Sequence, residues 1–293
     1  MSEPDWQSVE KAIAAATGSP FSIQRKTSVG GGCINTAYRL SDGKRDYFVK
    51  CNRSALLSMF EAEMAALQEM VDAGAIRVPH PVSTGESGAS SWLVLEYIEF
   101  GGGTGKSQAL AGEQLAKMHR KTADAFGWNL DNTIGSTPQL NDWNKSWINF
   151  WREQRLGYQL QLAGHQGSLQ RQGEKLLESF HLLIDHAPQP SLLHGDLWGG
   201  NIGYDDSGNP VIFDPALYFG DREADIAMTE LFGGFGREFY AAYNAAWPLD
   251  AGYPIRKKLY NLYHILNHLN LFGSGYLGQA EGMIDSLLAE TIA

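Results

Sequence analysis

The chain has little of several things, and each shortage excludes a class of protein. Of 293 residues only two are cysteine, Cys33 and Cys51, too few for a disulfide framework or a cysteine metal site. Charged residues make up 19%, and hydrophobic ones are too plentiful at 43% for a disordered chain. Cationic residues are the scarcer sign, 23 Lys and Arg against 33 Asp and Glu for a net charge of −10. With no run of Lys or Arg, neither a nucleic-acid backbone nor an anionic membrane surface is an expected partner. The start, Met-Ser-Glu-Pro-Asp-Trp, has no apolar signal-peptide core. The longest apolar runs, such as Trp92 to Leu95, fall far short of the roughly 20 residues of a membrane span. A cytoplasmic protein of one large domain or two lobes is the expectation.

Glycine is abundant, at 33 residues, and its placement organises the chain. An amphipathic helix is expected over residues 5–17, with Trp6, Val9, Ile13 and Ala16 on one face, ended by Gly18 and Pro20. Strand-like stretches follow at 21–28, 36–40 and 47–51, the first two joined by a glycine-rich turn, Gly30-Gly31-Gly32. A helix over 58–73 buries Phe60, Met64, Leu67 and Val71 before Gly74. Trp92 to Tyr97 reads as an apolar strand, and the glycines after Phe100 mark a lobe boundary near residue 99. The expected division is 1–98, a small lobe with an antiparallel sheet, and 99–293, a larger, mostly helical lobe. Within the latter, Asp142 to Leu162 reads as one helix with Trp143, Trp147 and Trp151 on a core-facing stripe.

One constellation carries chemistry. His194-Gly195-Asp196-Leu197-Trp198-Gly199-Gly200-Asn201 is followed, thirteen residues after the Asn, by Asp214 at the end of a strand. This is the spacing of a kinase catalytic loop, H-x-D-x-x-x-x-N. Phosphoryl transfer needs a carboxylate beside the acceptor hydroxyl, for which Asp196 is the candidate. It also needs hard oxygen ligands for Mg2+, for which Asn201 and Asp214 are the candidates. Gly199 and Gly200 are expected to let the loop curl. The remaining parts of a nucleotide site occur in the order a bilobal kinase requires. The backbone of Gly30, Gly31, Gly32, Cys33 and Asn35 is placed to cover ATP phosphates. Lys50 ends the third strand, and Glu63, chosen over Glu61, is set to pair with it. Glu96 and Ile98 form the expected hinge against adenine. An α+β, protein-kinase-like fold follows.

The sequence resembles the fructosamine kinase, or ketosamine-3-kinase, family within the aminoglycoside phosphotransferase-like branch of that fold. The shared stretches run almost end to end: Gly30 to Asn35, Phe48-Val49-Lys50, Phe60 with Glu63, Ile134 to Pro138, Leu193 to Asn201, Phe213 to Ala216, Leu231 to Phe235 and Leu259 to Asn270. The resemblance implies ATP- and Mg2+-dependent phosphorylation of the 3-hydroxyl of a small ketosamine or glycated amine, followed by elimination that frees the amine. It makes Asp196 the base and Trp198 a platform for the sugar, with Glu223 and His268 as candidate substrate contacts. A buried ion pair is the other reading of Glu223 with Arg222. A kinase of an aminoglycoside or choline-like alcohol, and a non-catalytic nucleotide-binding module, are the alternatives; monomer and homodimer stay open. Gly195 in place of arginine, and Pro215 in place of phenylalanine after Asp214, depart from regulated protein kinases and argue against activation-loop control. His264 and His268, four apart, share a helix face that lines the larger lobe in preference to holding zinc. Cys33 is a candidate redox-sensitive thiol in the phosphate loop.

Overall fold

The computed structural model describes residues 3–30, 34–164 and 167–292. Gly31, Gly32 and Cys33 lie outside these, and with them the centre of the expected phosphate loop and the thiol hypothesis. The chain divides into two compact units, one of residues 1–107 and 203–215, the other of 108–202 and 216–293. The first unit thus runs past residue 98 and takes back a later segment.

In the first unit, helix α1 (Trp6–Thr17) starts where the Asp5 carboxylate accepts the Gln7 amide and stops at left-handed Gly18. Strands β1 (Arg25–Val29), β2 (Thr36–Ser41) and β3 (Asp46–Arg53), helix α2 (Leu57–Ala73), and strands β4 (Pro81–Ser87) and β5 (Ser90–Glu96) follow. The sheet is antiparallel throughout, ordered β1-β2-β3-β5-β4. Val9 and Ile13 of α1 pack with Leu40, Tyr47, Val49, Cys51, Trp92 and Val94 in one buried cluster. Lys50 is one step out of phase with Val49 and Cys51, so strand alternation sends it to the opposite face.

Helix α3 (Gly105–His119) and hairpin β6 (Asn132–Ile134) with β7 (Thr137–Gln139) come next. Helix α4 (Trp147–Trp151) runs through a single π turn, Arg152–Leu156, into α5 (Gly157–Ala163). The helix therefore begins five residues later than its periodicity suggests, because Ser146 caps it through the Asn149 amide. Trp147 and Trp151 are buried against Tyr260, but Trp143 precedes the cap and is 44% exposed. Helix α6 (Ser168–Ser179) follows, then strand β8 (Ser191–Leu193) and hairpin β9 (Ile202–Tyr204) with β10 (Pro210–Ile212). That hairpin segment joins the first unit because Gly101 donates to the Tyr204 carbonyl and Ile212 to that of Arg77. Strand β11 (Tyr218–Gly220) returns to pair with β8. Helices α7 (Glu223–Leu231), α8 (Arg237–Ala246), α9 (Tyr253–Phe272) and α10 (Leu277–Glu290) complete the second unit. No helix among the described residues is long and apolar enough to cross a membrane.

Candidate functional site

In the first unit, the inward lysine of β3 meets two carboxylates. Lys50 Nζ lies 2.5 Å from Glu63 Oε1 on α2 and 2.6 Å from Asp214 Oδ1. Burial opposes the charge on Lys50, but Asp214 and Glu63 outweigh it and raise its pKa, so the ammonium stays charged. Glu63, and not Glu61, is the partner. Asp214 stands at φ 59°, the one non-glycine residue in the left-handed region among those described. A bulkier neighbourhood does not enforce this on most residues, and such backbone strain collects at functional positions. Its side chain is 47% exposed, which leaves a carboxylate oxygen available beyond the lysine.

The side chains of Asn35 and Glu96, residues whose backbone is the expected nucleotide contact, hold the unit together. The Asn35 Oδ1 accepts from Asn52 Nδ2 at 2.7 Å, and Asn52 also donates to the Ile34 carbonyl. The pair ties the end of the glycine loop to β3, a role for Asn52 that the sequence did not reveal. The Glu96 carboxylate receives Arg77 at 2.7 Å and the His80 amide at 3.2 Å, so its side chain is engaged within the unit. Arg77 reaches Asp205 at 2.7 Å as well, linking β5 to the β9–β10 turn. Ile98 is buried.

In the second unit, the loop after β8 is held by its backbone. The Asp225 carboxylate on α7 accepts the His194 amide at 2.7 Å and the Gly195 amide at 2.8 Å. His119 Nε2 donates to the same carboxylate at 3.1 Å, since a carboxylate only accepts, while His119 Nδ1 shares a hydrogen bond with the Tyr243 hydroxyl at 2.8 Å. Tyr243 also accepts from Arg222. Burial disfavours the Asp225 charge, yet His119 and the amides outweigh it and hold the pKa below its ordinary value. None of Asp225, His119 and Tyr243 stood out in the sequence. The only signal was a carboxylate in an otherwise buried helical turn.

Asn201 is buried and donates through Nδ2 to the Asp196 carbonyl at 2.9 Å. Its amide oxygen is then the atom left for a hard cation. Gly195 is in the left-handed region at φ 82°, and a Cβ there would sit 2.0 Å from the Ala216 carbonyl oxygen. Any side chain here meets that carbonyl, which explains why no arginine precedes Asp196. Gly195→Ala is expected to lower melting temperature and kcat together, checked by calorimetry and steady-state assay on the same preparation. Gly199 and Gly200 are not in left-handed conformations. They are glycine for proximity: a Cβ on Gly199 would meet Gly233 and Gly234 at 2.7 Å, and one on Gly200 the Trp198 ring at 2.3 Å. The Phe-Gly-Gly-Phe stretch thus packs directly on the catalytic loop.

Glu223 is corrected from substrate contact to buried ion pair, and its partner is Arg256, not Arg222. Arg256 Nε and Nη2 engage the two Glu223 oxygens at 2.7 and 2.9 Å, both residues being almost fully buried. Arg222 instead donates to Tyr243 and to the Trp247 and Pro248 carbonyls. His268 Nδ1 donates to the His264 carbonyl at 2.8 Å. Burial, with His268 nearby, pushes the His264 pKa down to about 3.

The comparisons agree with this geometry. The model of the fructosamine kinase family matches residues 5–290. A protein of Synechocystis named as a ketoamine kinase is 50% identical, with 97% of each chain covered. The chloroplastic protein-ribulosamine 3-kinase of Arabidopsis thaliana is 47% identical over 92% of this chain and 85% of its own. A crystal structure from Haemophilus somnus described as a fructosamine-3-kinase superposes with a TM-score of 0.89 at 32% identity, covering 97% of both chains. An aminoglycoside phosphotransferase, at 17% identity, shares the fold with a TM-score of 0.64 over 98% of this chain and 99% of its own. A charged lysine held by two carboxylates, a backbone-clamped His-Gly-Asp loop and relatives of this closeness lead to one assignment: the chain belongs to the fructosamine kinase family, phosphotransferases with an alcohol acceptor on the protein-kinase-like fold.

Proposed function

We propose that the protein transfers the γ-phosphate of ATP to the 3-hydroxyl of a ketosamine, and that this serves removal of sugar from a glycated amine. The observation that carries the reading is Lys50 held charged between Glu63 and Asp214 in a chain that also keeps Asp196 and Asn201 at kinase spacing. Residues of the first unit take the nucleotide: Lys50 contacts phosphate oxygens, Glu63 fixes its position, Gly30 and its neighbours cover the phosphates, and backbone between Glu96 and Ile98 faces adenine. Residues of the second unit take the acceptor. Asp196 accepts the hydroxyl proton as the sugar oxygen bonds to the γ-phosphorus and the bond to the bridging oxygen breaks, releasing ADP. The Asp214 carboxylate in the first unit and the Asn201 amide oxygen in the second are each the kind of hard oxygen donor that Mg2+ takes. When bound, Mg2+ neutralises charge on the phosphates. Trp198 offers its ring to the sugar face.

The test is ADP release with ribulosamine, fructosamine, an aminoglycoside or choline as acceptor. Release with a ketosamine alone is expected, together with loss of an elimination-labile phosphate from the product. Release with an aminoglycoside or choline but no ketosamine overturns the substrate assignment. Binding of ATP without turnover on any acceptor supports the non-catalytic alternative. Asp214→Ala is expected to abolish turnover at every Mg2+ concentration.

A further inference from the structure

Five side chains with exposed large aromatic rings occur among the described residues, Phe100, Trp143, Trp198, Phe232 and Phe272, and three of them lie in one row within the second unit. Trp198, two residues after Asp196, meets Phe232 edge-on with centroids 6.5 Å apart. Phe232 lies 4.8 Å from the His268 ring, which lies 5.4 Å from Phe272 and 5.2 Å from Tyr276. Trp198 and Phe232 are each 41% exposed, and Phe272 is 61% exposed. The row is anchored, because Gly233 and Gly234, next to Phe232, pack against Gly199 of the catalytic loop. It starts two residues along the loop from the proposed base and runs along the end of α9 into the turn before α10.

The polarity of the row is as informative as its rings. His268 gives its Nδ1 hydrogen to the His264 carbonyl, since a carbonyl only accepts, so Nε2 is the ring nitrogen left for a partner beside the aromatic rings. Rings attract an ammonium through their faces and cover an alkyl chain with their area. No part of the sugar chemistry needs this, since one ring suffices to stack on a pentulose or hexulose. A ketosamine, however, has a second half: a secondary amine, protonated near neutral pH, and whatever that amine carries.

We infer that the row Phe232, His268, Phe272 and Tyr276 is the subsite for the amine half of the acceptor, and that Phe272 and Tyr276 are the residues that determine how tightly an acceptor borne on a peptide lysine is held. This deepens the proposed function and rests on it. The sugar lies against Trp198, the ammonium faces His268 Nε2 and the neighbouring rings, and the lysine methylenes and adjoining peptide lie over Phe272 and Tyr276. A small amine adduct ends before it reaches the last two rings.

The experiment compares two acceptors, a short peptide with one ribulosylated lysine and the ribulosamine of methylamine, on wild type, Phe272→Ala and the Phe272→Ala/Tyr276→Ala double variant. The expected result is a rise in KM for the peptide of about tenfold in the double variant, with kcat nearly unchanged and kcat/KM for the methylamine adduct within twofold of wild type. A peptide KM that stays put, or an equal loss on both acceptors in a variant that melts like wild type, overturns the subsite. Phe272→Ala removes a largely exposed ring and keeps the test decisive where the double variant melts early. Wild-type protein inactive on both acceptors overturns the proposed function itself, whereas wild-type activity on both with unchanged variants overturns the subsite alone.

Discussion

Asp196→Asn is expected to lower kcat for ketosamine phosphorylation by about 10²–10⁴-fold, the range for loss of a positioned general base, while ADP affinity and melting temperature stay close to wild type. The separation follows from how the loop is built. Its shape is set by main-chain bonds, the His194 and Gly195 amides on Asp225 and the Asn201 side chain on the Asp196 carbonyl, none of which needs the Asp196 carboxylate to be charged. Asparagine keeps the size of the side chain and loses the ability to take a proton. The nucleotide contacts proposed for Lys50, Glu63 and Asp214 come from other segments. Stopped-flow or coupled assay for ADP release, with calorimetric ADP titration beside it, checks both halves. Turnover near wild type in Asp196→Asn sinks the base assignment; loss of ADP binding in parallel with kcat points to a damaged fold.

Asp225→Ala is expected to cost about 3–5 kcal/mol of stability, because it strands two buried amides and a histidine that have no water to turn to. Among single substitutions that leave the catalytic side chains untouched, this is expected to be the largest, and kcat falls with it because the clamp sets the position of Asp196. Urea unfolding measures the first and steady-state kinetics the second. Asp225→Asn keeps one acceptor oxygen and is expected to fall between wild type and alanine. The pH dependence has a definite sign. The folded pKa of Asp225 lies below its ordinary 3.8, so its contribution is fully present above pH 4 or so and is lost as pH falls through the depressed value. The stability gap between wild type and Asp225→Asn is therefore expected to be flat from neutral pH downward and to close only at strongly acid pH. A gap that widens on acidification contradicts the clamp.

How much of this was legible before the fold depends on whether partners are close in sequence. Asp196 and Asn201 sit on one short loop, where spacing alone brings their chemistry together, so the proposal for them needs no fold. Lys50 and Glu63 come from a strand and the helix after it; alternation orients the first and helix pitch narrows the second to two glutamates, between which packing decides. Trp143 breaks its stripe because a serine cap starts the helix after it, a local signal that periodicity outshouted. Glu223 is undecided in the sequence for the opposite reason: its partner Arg256 is 33 residues away, and nothing along the chain distinguishes a buried pair from a substrate contact. The clamp on the catalytic loop is more remote still. His119 and Asp225 are separated by 106 residues, so neither announces a shared task.

The sequence by itself determined the class of chemistry, the order of the parts and the glycine-rich character of the places where backbone must come close, since these depend on residue type at short range. Only the tertiary structure decided which polar residues serve the substrate and which serve the scaffold. A carboxylate or imidazole has the same composition in either role. What separates the roles is burial and the partner on a distant segment, which is why Glu223 and the side chains of Asn35 and Glu96 do structural work while Phe272 and Tyr276, anonymous in the sequence, stand at the end of an aromatic row that begins at the catalytic loop.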